Sequence, residues 1–269
     1  MKRISTLLLA VVLLSSSLHA IEPQRQILNA AQVSKLDLSG KWTGKRNQYS
    51  ADKKTFVESF QYEFELKQEG DIITGTSTII SSNGEYADVQ LEGVLIGNKL
   101  HFAEKAVKNA IRPDGKLWCF KSGELYFAKV GDNLKLVGAT PSYMETYNYP
   151  CSGGVTDLVK VDNSANLATL TTMNSSVAGA EPAFNLNVFP NPFVDNANIS
   201  YNLVSDAKVT TEVFDINGKL LNVLFEGNQK AGDYNLSFSN RNYNTSNGIF
   251  IVKMTVNGDV SSRQLVQMK

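Results

Sequence analysis

The chain has 269 residues, 42% of them apolar and 19% charged, which fits one or two globular domains and excludes a disordered or membrane-like polymer. Its 26 basic and 26 acidic side chains cancel. Loss of residues 1–20 removes Lys2 and Arg3 and no acid, so 24 basic against 26 acidic groups leave about −2, too weak a bias to point to nucleic acid or anionic lipid as a partner.

Lys2 and Arg3, the apolar run 4–14 and Ser15-Ser16-Ser17-Leu18-His19-Ala20 have the order of a secretory signal peptide, with cleavage expected after Ala20. The apolar run is too short to cross a bilayer core. Cleavage also removes His19 and leaves His101 as the sole histidine. Any Ser-His-Asp or Cys-His mechanism, or a metal site of several histidines, would have to be built around that residue. An exported chain meets an oxidising compartment, so Cys119 and Cys151 are expected to form a disulfide, worth roughly 3–4 kcal/mol on chain entropy.

Residues 21–39 form a mixed polar segment with a short helix expected around 24–34. Gly40-Lys41-Trp42-Thr43-Gly44 then opens a region, 40–162, of successive strand-like runs. In 56–68, Phe56, Phe60, Tyr62, Phe64 and Leu66 share one parity, and Val57, Ser59, Gln61, Glu63, Glu65 and Lys67 the other. A period of two predicts one buried and one solvated face. Further runs at 71–80, 86–96, 99–108, 117–130, 133–140 and 154–161 are separated by turn formers such as Glu69-Gly70, Ser82-Asn83-Gly84, Gly97-Asn98, Pro113-Asp114-Gly115 and Gly131-Asp132. With a first strand near 41–48 this makes eight consecutive strands. They predict an antiparallel up-and-down barrel, which has no open edge, and a two-sheet sandwich is the competing architecture.

Gly40-x-Trp42 at the start of an eight-stranded meander resembles the opening of lipocalin and other calycin barrels, whose tryptophan plugs one end. The arginine that covers that tryptophan late in those barrels has no counterpart, since Arg46 and Arg112 are the arginines between Trp42 and Val161. Ordinary core packing is the other reading of Trp42.

Residues 163–184 turn to Ser, Asn, Thr and Ala and mark a linker. From 185 the β pattern resumes, with Pro190-Asn191-Pro192 ending or edging a strand and Asn217-Gly218 as the dipeptide of a type I′ hairpin. Roughly seven short strands in about eighty residues predict a small β-sandwich. The fold class expected for the whole chain is therefore all-β, a barrel followed by a sandwich.

Five ordered blocks of the tail resemble the type A C-terminal sorting domain of the type IX secretion system of Bacteroidota. They are Phe189-Pro190-Asn191-Pro192-Phe193, Val213-Phe214-Asp215-Ile216-Asn217-Gly218-Lys219, Ala231-Gly232-Asp233-Tyr234, Ser246-Asn247-Gly248-Ile249-Phe250-Ile251-Val252-Lys253 and Gln264-Leu265-Val266-Gln267-Met268-Lys269. The resemblance implies passage through the periplasm and across the outer membrane, with 185–269 meeting the outer-membrane translocon and sortase-like machinery. It also implies that the tail is removed and the cargo released or held at the outer leaflet. An ordinary immunoglobulin-like accessory domain is the alternative.

No phosphate-cradling loop, His-Glu-x-x-His pair, Gly-x-Ser-x-Gly elbow or EF-hand loop is present in the sequence. No catalytic residue, metal site or cofactor is expected. Of the carboxylates Glu63, Glu65, Glu104 and Glu124, two facing across a barrel could hydrolyse a glycoside, but Glu63 and Glu65 lie on the polar parity. Trp42, Tyr62 and His101 are candidates to meet a ligand. Tyr143 and Tyr147 join them from the long loop expected between Pro141 and Gly153, which also holds Tyr149 and Cys151. The region is read as a secreted barrel binding a small apolar or amphipathic ligand, or else as a surface interaction module filled by its own side chains. A hydrolase is the weaker third reading.

Overall fold

A computed structural model describes residues 25–50, 55–112, 118–144, 150–162, 165–166, 184–241, 243 and 248–268. The signal segment with Ala20, most of the linker, the Pro113-Asp114-Gly115 turn, Tyr147 and Tyr149, Ser246-Asn247 and Lys269 lie outside them. Where a helix is expected near 24–34, strand β1 (Arg25–Ile27) precedes a one-turn helix α1 (Ala30–Val33). Asn29 begins the helix with a capping box, its side chain accepting from Gln32 N while the Gln32 side chain accepts from Asn29 N.

Eight strands follow: β2 (Gly40–Tyr49), β3 (Phe56–Glu69), β4 (Ile72–Ile80), β5 (Tyr86–Ile96), β6 (Lys99–Ile111), β7 (Cys119–Val130), β8 (Asn133–Met144) and β9 (Pro150–Lys160). Each pairs antiparallel with the next, and β9 returns to β2. The sheet therefore closes into the up-and-down barrel, and the sandwich alternative for this region falls away. Closing eight strands on a small radius needs tight coiling. Gly44 and Gly75 permit it, because a Cβ at either would stand 2.1 Å from a carbonyl oxygen of the adjoining strand.

The parity expected in β3 holds for Tyr62, Phe64 and Leu66, all buried, but Phe56 is 55% exposed. The β3–β4 ladder begins only at Gln61, so the first residues of β3 run past the barrel and have no interior to face. β8 and β9 likewise outrun their expected ends. They pair through Ser142–Cys151 to Tyr143–Pro150, so Tyr143 and Cys151 belong to strands and not to a long loop. The Cys119–Cys151 disulfide forms, joining β7 to β9.

The tail folds into two sheets. One contains β10 (Leu186–Phe189), β11 (Asn196–Leu203) and β14 (Gly232–Ser239); the other contains β12 (Ala207–Asp215), β13 (Leu220–Gln229), β15 (Ile249–Val256) and β16 (Asp259–Val266). A shared core of Phe193, Ile199, Val213, Phe238, Phe250 and Leu265 fills the space between them. The Asn217-Gly218 turn is not of type I′: Gly218 alone takes positive φ, and Asp215 Oδ1 accepts from Asn217 N and Lys219 N. Both residues have positive φ instead at Asn257-Gly258, which joins β15 to β16.

Candidate functional site

One end of the barrel is closed. Trp42 is fully buried there, donating from Nε1 to Leu38 O, with Phe127 against it at 6.4 Å between centroids. Leu28, Val33, Leu36 and Leu38 from the N-terminal segment belong to the same core. Lys160 on the last barrel strand places its Nζ 5.4 Å from the Trp42 ring centre. The middle is filled by aromatic packing, Tyr62–Phe64 at 5.0 Å and Phe64–Phe102 at 5.2 Å. This half behaves as an ordinary dense core.

The opposite end is built differently. Arg46, two residues beyond Gly44 on the inward parity of β2, is fully buried. It donates to Thr140 Oγ1 and O, Ser142 Oγ, Ser152 O and Gln48 Oε1, all of them neutral acceptors. Glu104 follows Leu100 and Phe102 on the inward parity of β6. Its carboxylate accepts from Tyr62 OH at 2.9 Å, Ser77 Oγ at 2.6 Å and the backbone N–H of Lys121 at 2.8 Å. Burial, with the Glu104 charge, pushes the Tyr62 phenol well above its usual range.

That last bond marks an irregularity in the wall. β6 and β7 pair from Lys99–Tyr126 to Ala103–Ser122, and beyond this no backbone pairing joins them among the described residues. The Glu104 side chain takes the place of a ladder partner. Beside it Lys121 is 5% exposed. Its Nζ is 3.8 Å from Glu104 Oε2, too far for a full hydrogen bond, and 4.1 Å from the Trp118 ring centre. Burial lowers the Lys121 ammonium to about 8. Among the described residues the buried Trp118 Nε1 has no hydrogen-bond partner.

Of the residues singled out in the sequence as ligand contacts, Trp42 and Tyr62 face the interior at different depths. Tyr143 is buried in β8, and its phenol is pushed up to about 12 by burial. His101 does not join them. It points outward from β6, opposite in parity to Leu100 and Phe102, and is covered by the C-terminal sandwich. The sequence reading missed Arg46, Lys121 and Trp118. The available signal was a charge on an apolar parity: Arg46 follows Trp42 and Gly44, and Lys121 precedes Gly123, Leu125 and Phe127.

The cover over His101 is a second buried polar site. His101 Nε2 lies 2.8 Å from Ser262 Oγ, and Nδ1 finds no partner among the described residues. Lys99 Nζ bridges Glu124 and Ser262 O, each at 2.7 Å, and Glu124 accepts from Gln264 N. Apolar residues flank this cluster, with Val94, Ile96 and Ala103 of the barrel meeting Ile216, Ile249 and Ile251. A Cβ on Gly218 would come within 2.9 Å of Ile72 and 3.1 Å of Val94. Burial drops the His101 imidazole to about 4. Burial pushes Glu124 up, but His101, Lys99 and the Gln264 N–H outweigh it and leave that carboxyl below its usual value.

On the other half of β16, Asn191 lies between the two cis prolines Pro190 and Pro192. It donates from Nδ2 to Gln264 O at 2.7 Å and accepts at Oδ1 from Val266 N at 2.9 Å. Phe193 N donates to Val266 O, and Phe193 O accepts from Met268 N. The Pro-Asn-Pro segment thus grips the final strand, and residues 187–268 match the secretion system C-terminal sorting domain family. The tail is a type IX sorting domain. It marks the chain as cargo for that export route. Within it Gly218 and Gly248 hold turns of positive φ, and Tyr234 stacks on Tyr201 at 5.4 Å. The sorting domain should lose about 2 kcal/mol on Asn191→Ala, which leaves Val266 N and Gln264 O without partners; urea unfolding of the chain followed by hydrogen exchange in 259–268 would measure it.

No curated protein matches the chain. Among solved structures, dimeric latent PorU from Porphyromonas gingivalis aligns over 85% of this chain and 30% of its own, at 11% identity and a TM-score of 0.30. The chain therefore spans less than a third of that protein's length.

Proposed function

We propose that this chain is exported to the periplasm by a cleaved N-terminal signal and delivered by its sorting domain to the cell surface or the medium. There its lipocalin-like barrel binds a small amphipathic molecule. In this reading the sorting domain is recognised by the outer-membrane translocon and removed by sortase-like machinery, and the cargo is released or held at the outer leaflet. The observation carrying the ligand assignment is the burial of Arg46, Glu104 and Lys121 at one end of the interior, beside the stretch where β6 and β7 show no pairing among the described residues. A barrel filled for stability alone would gain nothing from three ionisable groups, since buried ion pairs are commonly replaceable by apolar residues without loss. The role is one of binding and not catalysis. Three donors already hold Glu104 as an acceptor.

The aromatic packing of the closed half supports a second reading, a filled barrel acting as a surface interaction module. Native mass spectrometry of the protein recovered from its host's surface or culture fluid separates the two. A chain beginning at Ile21, ending near the linker and carrying a small-molecule mass is the expected result. An intact chain to Lys269 with no added mass would sink both the cleavage and the ligand assignments.

A further inference from the structure

Two strands of this chain are apolar and buried on both faces. In β15, Phe250 and Val252 fill the sorting-domain core, while Ile249 and Ile251 on the opposite face are buried as well. In β5, Leu95 belongs to the barrel core, and Val94 and Ile96 are buried outside it. Each outer face is covered by the other domain. A sorting domain standing apart on its linker would put Ile216, Ile249 and Ile251 into water together, and a lone barrel would do the same with Val94 and Ile96. A contiguous apolar patch of that kind marks a surface that expects a partner.

The polar groups on the same face are paired across it. Ser262 and Gln264, two apart on β16 and so on one side of the strand, meet Lys99, His101 and Glu124 of the barrel. Gln264 Nε2 also donates to Phe102 O at 3.2 Å. A slip of one residue would turn Ser262 and Gln264 away and leave these barrel groups buried without partners, so a single register is specified. Gly218 lets the turn at 215–219 close on Ile72 and Val94.

None of these contacts passes through the linker. On one side they lie within 72–124 and on the other within 214–264. The start of the linker is itself fixed to the barrel, Asn166 accepting from Asp37 N and donating to Asp37 O. A cut beyond Asn166 breaks the covalent tie and no bond of the contact.

We propose that the barrel keeps its own sorting domain as a bound subunit after the linker is cut. The receiving face is made by Ile72, Val94, Ile96, Lys99, His101 and Glu124, and it takes the outer face of β15 together with β16. The inference rests on the reading that the tail is removed and adds where the tail goes. Cleavage alone does not shed it; a further step must open this face.

The test places a site for a sequence-specific protease within 170–180 of the full chain and cuts the purified protein to completion at pH 7.5. The fragments are then followed by size-exclusion chromatography and native mass spectrometry through serial dilution. They should travel as one particle of the uncut size, with a dissociation constant of about 1 μM or below. Ile251→Glu puts a carboxylate into the apolar part of the contact and leaves Phe250 and Val252 in the sorting-domain core. It should weaken the pair at least about tenfold, with hydrogen exchange in 196–215 showing that the domain remains folded. Fragments of the native sequence that part at about 10 μM, or a folded Ile251→Glu pair as tight as the native one, would overturn the bound subunit. Because the protease is supplied, either result stands apart from whether the host removes the tail, which the ends of the chain recovered from the host decide.

Discussion

Replacing Glu104 with alanine should cost the chain about 3–5 kcal/mol, the usual penalty for removing one partner of a buried ion pair. The carboxylate accepts from Tyr62, Ser77 and the Lys121 backbone and lies beside the Lys121 ammonium. Alanine leaves all four groups facing an apolar void, and each stranded polar group costs on the order of 1–3 kcal/mol when nothing relaxes. The measurement is urea unfolding at pH 7, where the midpoint should fall with little change in slope. Glu104→Gln, which retains an acceptor, should lose less. The double variant Glu104→Leu with Lys121→Met should recover much of the loss, because it removes both charges together. A drop below about 1 kcal/mol for the alanine variant would mean that water satisfies these groups.

The second large effect is a pH dependence at the contact between barrel and sorting domain. His101 is buried neutral, its pKa taken from 6.5 to about 4 by burial. Glu124 favours the protonated ring, while Lys99 and Arg263 oppose it. Because the folded value lies below the unfolded one, opening the contact takes up a proton. The stabilisation is complete above pH 6.5 and is lost as the pH falls towards 4. At 1.36 kcal/mol per pH unit the full loss is about 3 kcal/mol. Glu124, also held low, adds its own loss only below the ordinary carboxylate value near 4.5, so between pH 6.5 and 4.5 the histidine dominates this contact. Protection factors in 258–266, with the intrinsic pH dependence of exchange divided out, should fall over that interval in the native chain and stay flat in His101→Asn. The same fall in both chains would assign the effect to another group.

Much of this architecture could be read from alternation and turns. Tyr62, Phe64 and Leu66 in β3 and the glycine-bearing turns between runs lead directly to the eight-strand meander, and Trp42 is buried in its core. What escaped detection has a physical cause. Period-two patterns report which residues share a face but not where along a strand the neighbouring strand begins, so parity assigns Phe56 to the buried face although β4 starts pairing only at Gln61. The consecutive Val94-Leu95-Ile96 is buried on both faces, a sign that something covers the barrel from outside. The covering element lies some 160 residues later, and no local pattern names it. Arg46 and Lys121 show the same limit from the inside. Their parity places them within the barrel, but their partners come from Thr140, Ser142, Glu104 and Trp118, which only closure brings near.

The outward edge of β16 is capped along its length. Ser262 O is met by Lys99, Gln264 N by Glu124, Gln264 O and Val266 N by Asn191, and Val266 O by Phe193 N. Three of these five groups are met by the sorting domain itself and two by the barrel. A bare strand edge is a template for pairing with other chains. The passenger thus shields its own address tag, and a barrel that has failed to fold leaves that tag sticky.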